Sequence, residues 1–399
     1  MMAIFDILIY VAFAFFASWL AKKSWAYVGT NELRERSWDK YLILFMLFFA
    51  VIGGIRWDVG NDNVSYALMF DDPPNFDYDK EALWAWFVNF SHSIGLHWSI
   101  ALGICAFMQI FFIVKALKPY RWILVFLPFL LFGGRYWLDS MNAIRQMLVA
   151  SAYLWAANFI VNRQFIVSKQ LIYYLIFIFV ASLIHQSAIL LLPFYFLPLN
   201  KSLVDFRYSL IIILILCFLL GLTPAFSWLT QYVEFISDAT NYDHYSELIT
   251  ERLQSVRTEE ALKFGPMMLT YLLIPIFIIW FGPSLKEKFG HIVPQFNVWY
   301  NLAYFYACGY FLVSNISHLF IRPMMYFELF QMVMASILLF YLWGEYKKYN
   351  RNFWPLIIYC IVIFTNTSWN VYKNVGPFRE TVTYKIFLFH KSELEIFNL

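Results

Sequence analysis

The sequence contains few charged residues for its length. Of its 399 residues, 14% are charged and 61% are apolar, which corresponds to a mean hydropathy of +0.61. A water-soluble domain usually contains about a quarter charged residues. The chain therefore lacks the polar surface that a soluble protein needs, and its composition indicates a protein that is surrounded by lipid.

The sequence also contains few cysteines and has a small net charge. The four cysteines stand singly in apolar runs without a CxxC pair, which argues against a metal cluster or a disulfide framework. The formal net charge of +3 comes from scattered basic residues and does not favour nucleic-acid binding. No internal repeat, low-complexity tract or soluble catalytic domain is recognisable in the sequence.

Long apolar runs are abundant, and they are continuous, whereas strands of a membrane barrel alternate apolar and polar residues. Because backbone polar groups must pair internally in hydrocarbon, continuous runs indicate helices. We predict an all-α fold: a polytopic bundle of about twelve spans forming one integral membrane domain over residues 1–399. The predicted spans are 2–21, 40–54, 97–117, 122–134, 142–161, 170–185, 186–200, 208–225, 265–282, 296–316, 322–343 and 353–369.

Several runs are shorter than the roughly 20 residues that cross the hydrocarbon. Runs 122–134, 170–185 and 186–200 are therefore predicted to be broken, tilted or re-entrant. The first run has no leading positive charge and is followed by Lys22 and Lys23. This pattern predicts a first span rather than a cleaved signal peptide.

The orientation is predicted from lysine and arginine, which collect in the cytoplasmic connections of membrane proteins. Every second connection of this chain is basic, without a break in the alternation. We expect those connections to be cytoplasmic, in a bacterial inner membrane, with both termini periplasmic. The basic connections are 22–40, 115–121, 162–169, 201–207, 283–295 and 344–352.

The connections on the predicted periplasmic side are longer and richer in acids and aromatic residues. They include loops 55–96 and 226–263 and the C-terminal tail 370–399. Both loops are expected to be partly helical, and 81–94 has the pattern of an amphipathic helix at the membrane interface. Because charged and aromatic residues collect on this side, we expect the chemistry there.

The first candidate group follows the second predicted span. Arg56, Asp58 and Asp62 lie close together in the sequence, and Gly60 allows a tight turn between them. The spacing does not match the D-x-D-x-D-G pattern of a calcium loop. A capped turn with a local Arg–Asp pair is the structural alternative to a functional site.

Two further arginines stand at predicted helix ends. Arg135 ends the run 122–134, and Arg145 opens the next span together with Asn142 and Gln146. The free amides of a helix N-terminus favour an anion, and an arginine beside them adds a full charge. The structural alternative for both arginines is contact with lipid headgroups.

The last candidates lie at the ends of later spans. His185 stands at a predicted hairpin, where a structural hydrogen bond is the alternative to catalysis. Arg322 and Tyr326 open the eleventh span, and Glu328 is expected inside it. A buried glutamate is costly unless it is protonated or paired, so an arginine such as Arg322 is its expected partner. A purely structural ion pair is the alternative.

These residues resemble the signatures of the EpsG/Wzy-like polysaccharide polymerases. The R-x-x-x-G-x-D-x-x-x-Y pattern that runs from Arg56 to Tyr66 resembles the first signature, and N-x-x-R-Q from Asn142 to Gln146 resembles the second. The third and fourth are similar to His185 with Ser187 and Ala188, and to Arg322 with Tyr326 and Phe327. A looser Y-x-x-Y feature is similar to Tyr242 and Tyr245. The tail sequence Gly376-Pro377-Phe378 departs from the Pro-Tyr expected there.

The resemblance implies a GT-C-type integral membrane glycosyltransferase. Such an enzyme transfers a growing chain from one undecaprenyl pyrophosphate carrier to the sugar unit of another, and produces O-antigen, capsular or exopolysaccharide. The implied partners are the lipid-linked donor and acceptor and the surrounding lipids. A chain-length regulator would be a further partner. No cofactor or metal is expected.

The residue types suit this chemistry. A lipid pyrophosphate leaves as a stable anion, so the reaction needs positive charge near the phosphates rather than a general acid. Arginine binds phosphate bidentately and stays protonated. The predicted phosphate-binding residues are Arg56, Arg135, Arg145 and Arg322.

The acceptor hydroxyl must also lose a proton to a base. His185 is the first candidate for the base and Asp62 the second, while Glu328 is expected to position an arginine. Aromatic side chains offer flat faces for sugar rings. The remaining predicted substrate-binding residues are Asn142, Gln146, Tyr66, Tyr242, Tyr245 and Tyr326.

Two other functions are alternatives to the polymerase. A flippase for the same lipid-linked sugar should place polar residues near the bilayer midplane and often contains repeated halves. Here the polar residues gather at span ends, and no repeat is recognisable. A membrane O-acyltransferase could use His185, but the cytoplasm-accessible catalytic histidine of such enzymes is not evident in this sequence.

Overall fold

The computed structural model describes residues 2–29, 37–60, 62–73, 81–133, 136–161, 168–223, 266–314, 318–373 and 384–389. The helices in chain order are α1 Met2–Val28, α2 Lys40–Gly54, α3 Asn63–Asp71, α4 Ala82–Ser93, α5 Trp98–Leu117, α6 Leu127–Gly133, α7 Tyr136–Asn142, α8 Ile144–Ala156, α9 Asn158–Val161, α10 Lys169–Ser182, α11 Arg207–Gly221, α12 Pro266–Phe289, α13 Phe296–Val313, α14 His318–Tyr349 and α15 Phe353–Lys373. The 3-10 segments are Lys118–Tyr120, Ile123–Val125, Gln186–Tyr195, Val204–Phe206 and Phe387–Phe389.

Six helical stretches within the described residues are long and apolar enough to cross a membrane. The prediction of a helical membrane bundle is therefore confirmed. The number of twelve spans and the GT-C type stay predictions. The six stretches are Ile7–Val28, Trp98–Tyr120, Ile144–Val161, Val204–Gly221, Met268–Phe289 and Ile321–Tyr349.

Two of the three short predicted spans are broken, whereas the run 170–185 contains the continuous helix α10, Lys169–Ser182. The run 122–134 divides into a 3-10 segment, Ile123–Val125, and the short helix α6. The run 186–200 forms a 3-10 segment that ends at Tyr195, with Pro193 inside it. A proline in that position removes a backbone donor, which prevents a regular α-helix.

Helix α14 lies at the centre of the bundle. In its span Ile321–Tyr349, 83% of the most apolar stretch is buried inside the bundle, compared with 33% in Ile7–Val28. The pairing of α2 with α5 is especially close, because a Cβ at Gly54 would lie 2.6 Å from the carbonyl oxygen of Ser99. Small residues allow helix backbones to approach in this way inside membranes.

One small sheet departs from the all-α prediction. Strand β1, Arg56–Trp57, pairs antiparallel with β2, Lys385–Ile386, so that Arg56 lies opposite Ile386. The amide of Phe387 also donates to the carbonyl of Ile55 at 3.1 Å. A segment of the C-terminal tail therefore packs beside the loop that follows α2.

The described parts of the connections that are rich in lysine and arginine lie at one end of the bundle, the basic end. Arg121 pairs with Asp39, and exposed pairs join Lys286 to Asp205 at 3.1 Å and Lys288 to Glu345 at 2.7 Å. The opposite end, where α2 ends and α5, α8 and α14 begin, is the motif end. The described residues of the motifs around Arg56, Asn142, His185 and Arg322 lie there.

The loop 55–96 is partly helical, as predicted, because it contains α3 and α4. Trp84 and Val88 of α4 are buried, whereas Trp86 and Phe90 are exposed, which matches the amphipathic pattern predicted for residues 81–94. The second predicted loop, 226–263, lies outside the described residues.

Candidate functional site

A single carboxylate, Glu81, lies at the centre of the motif end. It directly precedes α4 and is 4% exposed. Its Oε1 lies 2.7 Å from Nδ1 of His185 and accepts from the backbone amide of Gln186 at 3.1 Å. Its Oε2 accepts from Nη1 of Arg145 in an ion pair. Two sequence-distant motif residues, Arg145 and His185, are therefore joined through one side chain.

The backbone around Glu81 fixes this position. The amides of Leu83 and Trp84 donate to the carbonyl of Leu183 at 3.0 Å and 3.3 Å. Helix α4 is thus attached to the end of α10, directly before His185. Because a buried backbone donor must be paired, these bonds hold the loop against the hairpin.

Arg145 is held on several sides at the start of α8. Besides Glu81, it interacts electrostatically with the side chain of Tyr66, and its guanidinium carbon lies 5.9 Å from the ring centroid of Trp84. Its side chain is nevertheless 31% exposed. A guanidinium carries five N–H donors, so these contacts leave capacity for an anionic ligand.

The start of α14 is attached to the same place. The Gln146 side-chain amide donates to the backbone carbonyl of Arg322, and the hydroxyl of Ser187 lies 2.7 Å from that of Tyr326. Tyr326 is fully buried, while Arg322 is exposed. These contacts place the exposed arginine beside the segments that carry Arg145 and His185.

The loop after β1 brings Asp62 to this cluster. Gly60 has a φ of +89°, and a Cβ there would collide with Oδ1 of Asn142, so only glycine fits. The same oxygen accepts from the amide of Asp62 at 3.4 Å. Enclosure by neighbouring groups raises the pKa of Asp62, whereas the charges of Arg322 and Arg145 lower it, and the net shift is upward.

Glu81 is affected by the same opposing influences with the opposite result. Burial raises the pKa of its carboxyl group. The hydrogen bond from His185 and the charge of Arg145 together lower the pKa by more than burial raises it, so that the net pKa is below its usual value. The carboxylate therefore stays ionised, and an ionised carboxylate accepts hydrogen bonds without donating any.

Eight predicted site residues are thus connected at the motif end by hydrogen bonds or electrostatic interactions, together with Glu81. They come from four separate stretches of the chain. They are Asp62, Tyr66, Asn142, Arg145, Gln146, His185, Arg322 and Tyr326.

Arg56 has a different environment. It is 1% exposed, and its guanidinium donates to the carbonyls of Gly53 and of Met141, the latter at 3.4 Å. Burial lowers its pKa to about 10. The neighbouring Asp58 pairs with Lys385 of the tail at 3.3 Å. The local Arg–Asp pair considered above is therefore replaced by contacts to backbone carbonyls and to the tail.

Glu328 lies deeper in the bundle, about 9 Å along the axis of α14 from Arg322. It is 5% exposed and lines a cavity of about 80 Å³ together with Gln331 and three tyrosines, Tyr271, Tyr306 and Tyr310. Residues separated by this spacing lie on different helix faces. Glu328 is thus separated from the cluster around Glu81.

Three predicted site residues lie outside the described residues, namely Arg135, Tyr242 and Tyr245, and so does the tail sequence Gly376-Pro377-Phe378. Across the part of the chain that is described, no group of three His, Cys, Asp or Glu side chains is placed to hold a metal ion.

Glu81 is the member of this cluster that the sequence did not predict. It lies in an acidic loop, where no spacing distinguishes one acid from the others. Its position directly before an amphipathic helix is the one available signal, because that helix fixes where the carboxylate points. The contacts of Glu81 are made to residues more than sixty positions away, which local patterns do not reveal.

Comparison with known proteins gives one match. The family model described as EpsG family matches residues 39–378, which contain all the connected site residues. Neither a curated protein nor a solved structure matches the chain.

Proposed function

Because this chain belongs to the EpsG family of Wzy-like polysaccharide polymerases, we propose that it elongates polysaccharide from lipid-linked oligosaccharides. In this proposal the growing chain is carried on one polyprenyl pyrophosphate, such as undecaprenyl pyrophosphate, and is transferred to the sugar of another. The motif end is the reaction site, at the periplasmic face of a bacterial inner membrane.

The observation that carries the proposal is the convergence of the motif residues. Arg145, His185 and Arg322 are far apart in the sequence, yet contacts through Glu81, Gln146 and Ser187–Tyr326 join their segments. Arg145 and Arg322 are charged and reach solvent, so they can meet a ligand at this end. The basic connections lie at the opposite end, which supports a periplasmic location for the reaction site.

The two arginines would bind the pyrophosphate of the donor. In the transfer, the acceptor hydroxyl oxygen bonds to the anomeric carbon of the donor sugar, and the bond from that carbon to the pyrophosphate oxygen breaks. The leaving pyrophosphate takes the bonding electron pair. Guanidinium groups positioned at its oxygens stabilise the charge that develops there.

His185 would accept the proton of the attacking hydroxyl. Its side chain is 21% exposed, so one edge of the ring can reach a substrate. Asp62 is the second candidate, since its raised pKa makes it a better proton acceptor than an ordinary aspartate. It also lies near both arginines, where it would help to place them when no substrate is bound.

The buried residues receive structural roles in this proposal. Arg56 would fix the loop before Asp62 by binding the carbonyls of Gly53 and Met141. Tyr66 is 6% exposed and Tyr326 is fully buried, so neither is placed to stack against sugars. Tyr66 would position Arg145, and Tyr326 would hold the start of α14 against Ser187. Glu328, which is buried, would make contacts inside the bundle rather than bind substrate.

The test is elongation by the purified protein in lipid vesicles. Lipid-linked repeat units would be extracted from cells that lack this protein, added to the vesicles and separated on a gel. A ladder of longer chains is the expected result. Unchanged repeat units that move across the bilayer would instead identify a flippase, and unchanged units without movement would exclude both functions.

A further inference from the structure

Glu81 belongs to none of the motifs that led to this site, yet it contacts two of them. We propose that Glu81 is a positioning residue that orients His185 through Nδ1, leaves Nε2 as the proton acceptor, and fixes Arg145 at a set place relative to that nitrogen. The role in catalysis rests on the function proposed above, whereas the orientation of the ring can be tested without it.

The orientation follows from the chemistry of the contact. The carboxylate of Glu81 is ionised and only accepts hydrogen bonds, so the Nδ1 atom 2.7 Å away must carry the proton. In a neutral imidazole the other nitrogen then has no proton and a lone pair available. The hydrogen bond at one ring nitrogen thereby sets the function of the other.

Several contacts fix the position of the carboxylate. The amide of Gln186 donates to Oε1 at 3.1 Å, the oxygen that also receives His185. The amides of Leu83 and Trp84 bind the carbonyl of Leu183, so the segments before His185 and after Glu81 are held together. A base whose ring is fixed by packing and hydrogen bonds loses less entropy when it meets its substrate.

The second oxygen of Glu81 connects this base with a phosphate ligand. Oε2 is paired with Arg145, whose side chain remains 31% exposed. One carboxylate thus contacts both the residue that would activate the acceptor and a residue that would bind the donor. A change at Glu81 should therefore disturb both substrates, unlike a change at either partner alone.

The alternative is that Glu81 only neutralises Arg145 and stabilises the fold. In that case removal of Glu81 would lower the melting temperature, while His185 would keep its tautomer and the activity per folded molecule would be unchanged. A measurement on the histidine ring itself separates the two roles. A melting temperature measured in parallel identifies variants that no longer fold.

The first experiment is magic-angle-spinning NMR of protein labelled with ¹⁵N-histidine in lipid vesicles. The chain has seven histidines, and His185→Asn identifies the signals of His185 by their loss. We expect the Nδ1–H tautomer in the unmodified protein and its loss in Glu81→Ala. Glu345→Gln is the matched control, since Glu345 pairs with Lys288 at the basic end. An Nε2–H tautomer in the unmodified protein, or an unchanged spectrum in Glu81→Ala, would overturn the proposal.

The second experiment measures chain elongation at several pH values. We expect Glu81→Ala to slow elongation about 10²–10⁴-fold, the usual contribution of a general base. The double variant with His185→Asn should be little slower than His185→Asn alone, because the two residues act as a unit. Fully additive losses would contradict the shared role.

The isosteric Glu81→Gln is the second variant, for the case in which Glu81→Ala does not fold. It keeps the shape but offers one acceptor oxygen to the three donors Arg145, His185 and Gln186, so a mixed tautomer population and slower elongation are expected. If the unmodified protein shows the Nδ1–H tautomer but makes no polymer, the proposed function fails and the ring assignment stands.

Discussion

Two carboxylates of this protein are each bound by an arginine, one at either end of the bundle. At the basic end, Asp39 pairs with Arg121, and the side chains of these residues are 4% and 2% exposed. At the motif end, Glu81 is similarly buried, but its partners Arg145 and His185 are 31% and 21% exposed. The two pairs use the same chemistry in different surroundings.

The pair at the basic end is saturated by the protein itself. Asp39 caps α2 by accepting from the amides of Tyr41 and Leu42, and it also accepts from Ser24 at 2.7 Å. Arg121 adds donors to Ser24 and to the carbonyl of Ser37. All of these partners are groups of the protein, so the pair links α1, the start of α2 and the segment that follows α5.

The pair at the motif end leaves charged groups at the surface. Only the carboxylate is enclosed, whereas the guanidinium and the imidazole each reach solvent on one side. The difference teaches that burial of the acid alone does not distinguish a structural pair from a pair at a candidate ligand site. The exposure of its partners does, because a ligand can meet only what solvent can reach.

The arginines test this distinction with the largest expected effect. Arg145→Ala and Arg322→Ala should each abolish chain growth, with a loss of at least about 10²–10³-fold for a missing charge donor. Arg145→Lys should restore little, because a point charge replaces a bidentate fork. Gel ladders from complemented cells would measure this, with the exposed Arg351→Ala as the control. Near-normal chain lengths in both variants would remove the assignment.

The pair at the basic end should respond in the opposite way. Arg121→Ala leaves Asp39 charged and buried, which should destabilise the fold by about 3–5 kcal/mol. Elongation per folded molecule should stay unchanged. Thermal unfolding in detergent measures the first quantity, and Lys286→Ala, which breaks an exposed pair, should cost about 0–1 kcal/mol. Lost elongation without lost stability would place Arg121 in the site.

Two glycines with positive φ allow a sharper test of the motif end. Gly60→Ala would strain the backbone and collide with Asn142, whereas Gly95→Ala, at a φ of +65°, meets nothing within 4 Å. Each should cost about 1–3 kcal/mol of backbone strain. Only Gly60→Ala should also slow elongation, because it moves Asp62 relative to the arginines. Equal elongation rates in the two variants would contradict the placement of Asp62.

The pH dependence of stability should show the smallest effect. The pKa of Glu81 is lowered in the folded protein, so its stabilising contribution is present above its ordinary pKa of 4.5 and is lost as pH falls through the lowered value. The melting-temperature difference between the unmodified protein and Glu81→Gln should therefore shrink on acidification below 4.5. A difference that grew in this range would reverse the sign of the shift.

Much of the bundle could be predicted from composition and periodicity. Continuous apolar runs and alternating basic connections indicated membrane helices and two chemically distinct ends. The number of spans could not be predicted from the same patterns, because runs such as 122–134 and 186–200 are broken by 3-10 segments and Pro193. Local sequence does not determine how a broken run lies in the bilayer.

The candidate site could be predicted only in part, for a similar reason. Arg145, His185 and Arg322 stand out because ionisable residues at membrane depth are rare, and the structure connects their segments. Glu81 does not stand out among the acids of its loop, and its importance arises from tertiary contacts. Arg56 carries the same charge as Arg145, but whether an arginine faces carbonyls or solvent depends on packing that no short motif encodes.

The central claim is that Arg145 and Arg322 together bind the diphosphate of a lipid carrier. An experimental structure of the protein in lipid with bound polyprenyl pyrophosphate tests this most directly. The account predicts phosphate oxygens within hydrogen-bond distance of both guanidinium groups, with His185 Nε2 facing the same space. A diphosphate bound among the lysines of the basic end, with these two arginines apart and empty, would contradict it.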